Sequence, residues 1–223
     1  MSCNRGPRIV TDSLILYLDA ANTSSYSGSG TSWNDLSGAG NNGTLTNGPT
    51  FNSGNKGAIS FDGSDDYVDI SSSAIFTGTS NVTMDIWFYE TASNSNTVVF
   101  YNGNTASNGF GFFIGSGNTL NVIYGGITGT VFTPSVTLSS GTWYNFTFVA
   151  GSSSDAFLYK NGILQGSTIP ISFNTPSGPA TIAGISSGYY FYGKIPIARL
   201  YSKALTATEI LSNYNATKSR FGL

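Results

Sequence analysis

From Val82 to Tyr89 the chain alternates without a break. Val82, Met84, Ile86 and Phe88 are apolar or sulfur-bearing, and Thr83, Asp85, Trp87 and Tyr89 stand between them. A period of two puts successive side chains on opposite faces of a strand, whereas a helix needs a period near 3.6. The first set is expected in a core. The same pattern returns at Trp143–Val149, with Tyr144, Phe146 and Phe148 on one side. Shorter apolar runs read as further strands: Leu14–Leu18, Ala58–Phe61, Tyr67–Ile70, Val98–Tyr101, Phe110–Ile114, Leu120–Tyr124, Ala180–Ala183 and Lys194–Tyr201. Their spacing is that of an all-β sandwich. Between Ala156–Lys160 and Ile163–Gln165 stands Asn161-Gly162, a pair that tolerates positive φ at both positions and so closes a tight hairpin.

The stretch from Asn22 to Asn55 is dense in Gly, Ser, Thr and Asn and reads as an ordered loop with brief strands. Trp33, Leu36, Leu45 and Phe51 are the anchors that should pin it to the core. One helix is expected, at the end of the chain. Thr206-Ala207-Thr208-Glu209 has the form of a capping box, with Leu205 and Ile210 at the staple positions and Leu211 and Tyr214 extending the apolar face. That helix is expected at the sandwich edge. The reading is therefore an arm over residues 1–8 and a single domain over 9–223. All-β sandwiches commonly reach this length as one unit.

Composition narrows the function classes. Net charge is -2 and only 9% of residues are charged, which provides no basic footprint for nucleic acid. No run reaches transmembrane length, so no membrane insertion is expected, and the opening residues lack the apolar core of a signal peptide. The chain has a single cysteine, Cys3, so no intrachain disulfide can form; an unpaired thiol and an interchain bridge both remain open. Histidine is absent, which removes Ser–His and Cys–His activation and His-ligated metals. Only Glu90 and Glu209 represent glutamate, and glycoside hydrolysis needs two carboxylates across one cleft. A non-catalytic protein is expected.

Several segments, in order, resemble one family. Ala58 to Val68, with Phe61-Asp62-Gly63 and Asp66-Tyr67-Val68, is similar to its FDGxxDYV signature. Val82–Phe88 is similar to its central Trp strand, and Trp143 to Gly162 to its hairpin. Gly193-Lys194-Ile195 through Ala204-Leu205 and Glu209-Ile210 is similar to its ending. Together they resemble the laminin-G-like, concanavalin A-like lectin domain. The fold this implies is an all-β, two-sheet antiparallel jelly-roll sandwich with one short C-terminal helix. The opening, Leu16 to Asn22 and Trp33 to Gly38, resembles a version found in phage structural proteins and large microbial surface proteins. This implies a virion structural protein (a capsid decoration, fibre or appendage component) at the virion surface or outside the cell, with other virion proteins or a second copy as partners. The alternative is a carbohydrate-binding module for surface glycans. The family pattern is kept at the hairpin, where Asn161-Gly162 stands for Asp-Gly. It is broken after Ile195, where Pro196 stands for an acidic residue.

Candidate sites follow from residue chemistry. Asp65 and Asp66, in the acidic turn that begins at Asp62, are hard oxygen donors suited to calcium; Asx-turns are the other use for such residues. Asp85, Trp87 and Tyr89 share one strand face, where rings and a carboxylate make a sugar platform unless a further layer covers them. Tyr190 and Tyr192, in the run from Tyr189 to Tyr192, are expected to be surface-facing and to contact a glycan or partner. Arg5 and Arg8 form an extended basic arm suited to an interface.

Overall fold

The computed structural model describes residues 6–71, 73–126, 130–152, 155–170 and 174–223. The alternating segments are strands throughout. In chain order they are β1 (Leu14–Asp19), β2 (Ser32–Trp33), β3 (Gly43–Thr46), β4 (Thr50–Asn52), β5 (Ala58–Asp62), β6 (Tyr67–Ser71), β7 (Val82–Glu90) and β8 (Thr97–Asn102). Then come β9 (Phe110–Gly115), β10 (Thr119–Tyr124), β11 (Thr130–Thr137), β12 (Trp143–Ala150), β13 (Asp155–Lys160), β14 (Ile163–Pro170), β15 (Ala180–Ile182) and β16 (Tyr192–Tyr201), followed by the helix α1 (Ala207–Thr217). No apolar run in the sequence announces β11, which carries Pro134.

The strands form two eight-stranded antiparallel sheets. The first runs β14-β13-β12-β7-β16-β5-β4, with β1 also paired to β16. The second runs β11-β10-β9-β8-β15-β6-β3-β2. Their inner faces meet in one continuous core. Val82, Met84, Ile86 and Phe88 of β7 face Phe110, Phe112 and Ile114 of β9, with Tyr144, Phe146 and Phe148 of β12 beside them. Trp33 and Leu45 are buried as expected of anchors, while Leu36 and Phe51 are half-buried. Asn161 (φ 53°) and Gly162 (φ 75°) close the β13–β14 hairpin in the left-handed region, the pairing that matches strand twist.

The capping box forms as read. Thr206 Oγ1 accepts from the Glu209 amide, and the Thr206 amide donates to Glu209 Oε2 at 2.8 Å. The helix position differs from the expectation: α1 and the 3₁₀ turn at Lys218–Phe221 lie across the outer face of the first sheet, not at its edge. Leu205 and Ile210 pack with Val149, Tyr159 and Tyr201, and Phe221 packs with Trp87 and Ile197. Leu211, expected on the apolar face, is 46% exposed. Arg220 clamps this segment down, with Nη1 at 2.9 and 3.1 Å from the Asp19 carboxylate. No helix among the described residues is long and apolar enough to cross a membrane.

Candidate functional site

The outer-face segment rules out one candidate. Trp87 is fully buried, its ring stacked on Phe221 at 4.3 Å and on Tyr214 at 5.6 Å. Asp85 is buried with it. Its Oδ1 pairs with Arg199 Nε at 2.9 Å, and its Oδ2 accepts from Thr147 Oγ1 at 2.7 Å and Asn145 Nδ2 at 3.0 Å. Burial is the largest influence on Arg199 and works against its charge, but the Asp85 carboxylate together with Tyr201, Tyr17 and Asp19 offsets it and leaves the guanidinium pKa above its ordinary value. Asp85 and Trp87 are therefore structural, and the expected open platform is corrected to a covered one. Tyr89, at the open end of the same strand face, remains partly exposed.

An accessible concavity lies at one end of the sandwich, where two turns cross between the sheets. The β3–β4 turn contributes Asn47 and Gly48, the β5–β6 turn contributes Asp62 and Asp66, and Tyr192 opens β16 beside them. With Thr50, Ser60 and Phe61 they line a cleft of about 370 Å³, within the range of small-ligand sites. Asn47 takes φ 68° and Gly48 φ 112°, a left-handed pair that folds the turn over the acidic residues. Asn47 Nδ2 donates to the Asp65 carbonyl at 2.9 Å and ties the two turns together.

Carboxylate oxygens of Asp62, Asp65 and Asp66 come within 4.8 Å of one another. Asp62 forms the expected Asx-turn, its Oδ1 accepting from the Ser64 amide at 2.8 Å. Asp66 is buried, and its Oδ2 accepts from the Asp62 amide at 3.1 Å. Burial raises the Asp66 pKa, as do the charges of Asp62 and Asp65; the hydrogen bond from Asp62 offsets only part of this. Asp65 and Asp66 thus lie with Asp62 in one acidic turn.

Tyr192 is 43% exposed and Tyr190 half-exposed, while Phe191 between them is fully buried. Tyr192 packs against the acidic turn, where a Cβ at Gly63 would lie 2.9 Å from the Tyr192 Cβ. Its backbone is held from behind by Asn94, which accepts from the Tyr192 amide at 2.8 Å and donates to its carbonyl at 3.2 Å. Asn94 in turn donates, through its amide nitrogens, to the fully buried Glu90 carboxylate. Tyr190 lies over Gly184, on a different surface from the cleft. In the arm, Arg8 is exposed and its carbonyl accepts from Ser212 Oγ at 2.9 Å. Arg5 and Cys3 lie outside the described residues. Asn47, Thr50, Ser60 and the part played by Asp62 escaped sequence reading, because only the sheet crossing brings their turns together.

The family model described as Concanavalin A-like lectin/glucanases superfamily matches residues 62–211. No curated protein matches the chain. Among solved structures, domain 4 of AbnA, a GH43 extracellular arabinanase from Geobacillus stearothermophilus in complex with arabinotriose, is similar at TM-score 0.69 and 16% identity, over 90% of this chain and 98% of that one. The binding domain of botulinum neurotoxin serotype D is similar at TM-score 0.72 and 16% identity, over 93% of this chain and 52% of that one. Trypanosoma rangeli sialidase, in complex with 2,3-difluorosialic acid, is similar at TM-score 0.71 and 13% identity, over 96% and 35%. The chain thus spans about half the length of the neurotoxin domain, and at these identities the likeness is one of fold.

Proposed function

Because the chain belongs to the concanavalin A-like lectin/glucanases superfamily, we propose that it is a non-catalytic carbohydrate-binding module whose site is the cleft between Asn47, Asp62, Asp66 and Tyr192. The observation that carries this reading is the pairing of one exposed ring with a wall of carboxylate, amide and hydroxyl groups in the single cleft described above. A ring supplies apolar area for a sugar face, and the polar wall takes hydroxyl protons. The arabinotriose carried by the arabinanase domain adds support from a protein of the same fold. The three carboxylates come from one turn and so form one wall, whereas glycoside hydrolysis sets its two carboxylates on either side of the scissile bond.

Calcium fits this wall. Three hard oxygen donors already lie within 4.8 Å of one another, and Asp62 and Asp66 each give only one oxygen to a backbone amide. Asp62, Asp65 and Asp66 would hold the ion, which would neutralise the wall and orient hydroxyls. A glycan array probed with and without calcium tests the reading, with Tyr192→Ala as the control. Hits lost in the variant support it, and an empty array under both conditions overturns it.

A second reading places this sandwich in a virus particle, on its surface, in contact with other virion proteins or with copies of itself. It is favoured by the opening segment, whose likeness to phage structural proteins extends over residues deeply built into the fold. Leu16, Leu18 and Trp33 are buried, and Asp35 accepts from the amides of Tyr17, Ser37 and Asn41. Exposed Arg8 would then serve a neighbouring subunit. Mass spectrometry of purified particles should find the chain; its absence there would reject this placement without touching the glycan reading.

A further inference from the structure

The register of the first sheet connects the cleft to a second set of groups. Trp143 pairs with Tyr89, Tyr89 with Lys194, Lys194 with Ser60, and Ser60 with Thr50. These five residues form one row across β12, β7, β16, β5 and β4. All point away from the core, because their chain neighbours Tyr144, Phe88, Ile195, Ile59, Phe61 and Phe51 point into it. At an interstrand spacing near 4.8 Å the row is about 19 Å long. Each member is at least partly exposed, and Ser60 and Thr50 are also walls of the cleft. The C-terminal segment stops at its border, where Phe221 meets Trp143 at 4.6 Å.

The row has its own chemistry. Trp143 and Tyr89 present adjacent rings with centroids 5.1 Å apart. Lys194 Nζ lies 5.3 Å from the Tyr89 centroid. None of the ion pairs among the described residues involves it. The sequence of groups is ring, ring, cation, hydroxyl, hydroxyl, and then the carboxylates and the Tyr192 ring of the cleft. One charge faces a ligand in mid-row, and it is positive.

We propose that this row is an extended subsite continuous with the cleft, and that its ligand is a linear oligosaccharide carrying an acidic sugar. The carboxylate of that sugar meets Lys194, its neighbours stack on Tyr89 and Trp143, and a neutral unit enters the acidic cleft. With no calcium on the wall, a ligand negative along its whole length would be repelled at Asp62 and Asp66, so the ligand that fits carries both acidic and neutral units. The inference rests on the glycan-binding reading of the cleft and adds length and charge preference to it.

The chain contains a built-in probe. Of its three tryptophans, Trp33 and Trp87 are fully buried and Trp143 is not, so acrylamide quenching reports Trp143. The probes are matched acidic and neutral oligosaccharides: sialyllactose against lactose, and partly methyl-esterified oligogalacturonates against their full esters. The expected result is tighter binding of the acidic members, protection of Trp143 from the quencher, and a loss of roughly tenfold in Lys194→Gln that removes the acidic preference and leaves neutral binding intact. Binding that is lost in Tyr192→Ala, yet leaves Trp143 quenching and the Lys194→Gln affinity unchanged, overturns the row while the cleft stands. No binding by any probe overturns both. Circular dichroism of Lys194→Gln and of Tyr192→Ala confirms that each comparison is between folded proteins.

Discussion

Arg199 is fully buried and meets one carboxylate, Asp85, at 2.9 Å. Removing one partner leaves the other charge buried and alone, so Asp85→Ala should destabilise the protein by about 3–5 kcal/mol in urea titration. A joint exchange of both for apolar residues should cost far less. Asp66 makes the opposite case. Its raised pKa means that the folded state holds its proton more tightly than the unfolded chain does. Stability from this group is therefore present at acid pH and is lost as pH rises through the unfolded and then the folded value. Asp66→Asn should raise Tm at neutral pH in chelator, have no such effect where Asp66 is protonated, and abolish any rise in Tm on adding calcium. An unchanged Tm in chelator would mean that the three carboxylates do not strain the turn. At this scale the sequence exposed residue types but not burial. Asp85, Trp87 and Tyr89 share a face by alternation, but Arg199, Asn145 and Thr147 of neighbouring strands close around Asp85, the last turns of the chain cover Trp87, and Tyr89 is left open.

Among the elements, α1 is the one whose sequence signals are most complete. Thr206→Ala removes the Oγ1 acceptor for the Glu209 amide and should cost about 1 kcal/mol. Glu209 also receives Lys203 Nζ at 2.7 Å, and Lys203 reaches Asp12 at 2.9 Å. The hydrogen bond from Lys203 holds the pKa of both acids below the usual carboxylate range, and the same contacts raise that of Lys203. For the acids, the contribution is present above their unfolded values and lost as pH falls through the folded ones; for Lys203 it is lost as pH rises past the unfolded and folded lysine values. Guanidinium titrations across pH should show the Lys203→Met variant losing stability at neutral pH but matching the parent in acid. These signals were legible because capping and pairing are local. The position of α1 was not, since a helix with Leu205, Ile210 and Tyr214 on one side is compatible with either an edge or a face. β11 was missed because Pro134 and its polar neighbours interrupt the alternation that identifies β7 and β12.

Across the whole molecule, the sandwich has a third, partial layer. Residues 206–223 cover the outer face of the first sheet, and Phe221 is 6% exposed between Trp87 and Trp143. Phe221→Ala should cost about 3–5 kcal/mol by thermal or urea unfolding and shift tryptophan emission to the red as water reaches Trp87; unchanged emission would mean that the face stays covered. The all-β class and the two-sheet plan could be read from periodicity, because a two-residue repeat needs no knowledge of distant partners. The cleft could not, because its walls come from two sheet-crossing turns and the start of a strand far along the chain. That strand, β16, lies between β7 on one side and β5 and β1 on the other. The middle of the first sheet is therefore the last of its strands to leave the ribosome. Until about residue 201 has emerged, β7 on one side and β5 and β1 on the other have nothing to join, so this sheet must wait for β16 before it closes, and chains cut short before that strand should be prey for proteases rather than working fragments.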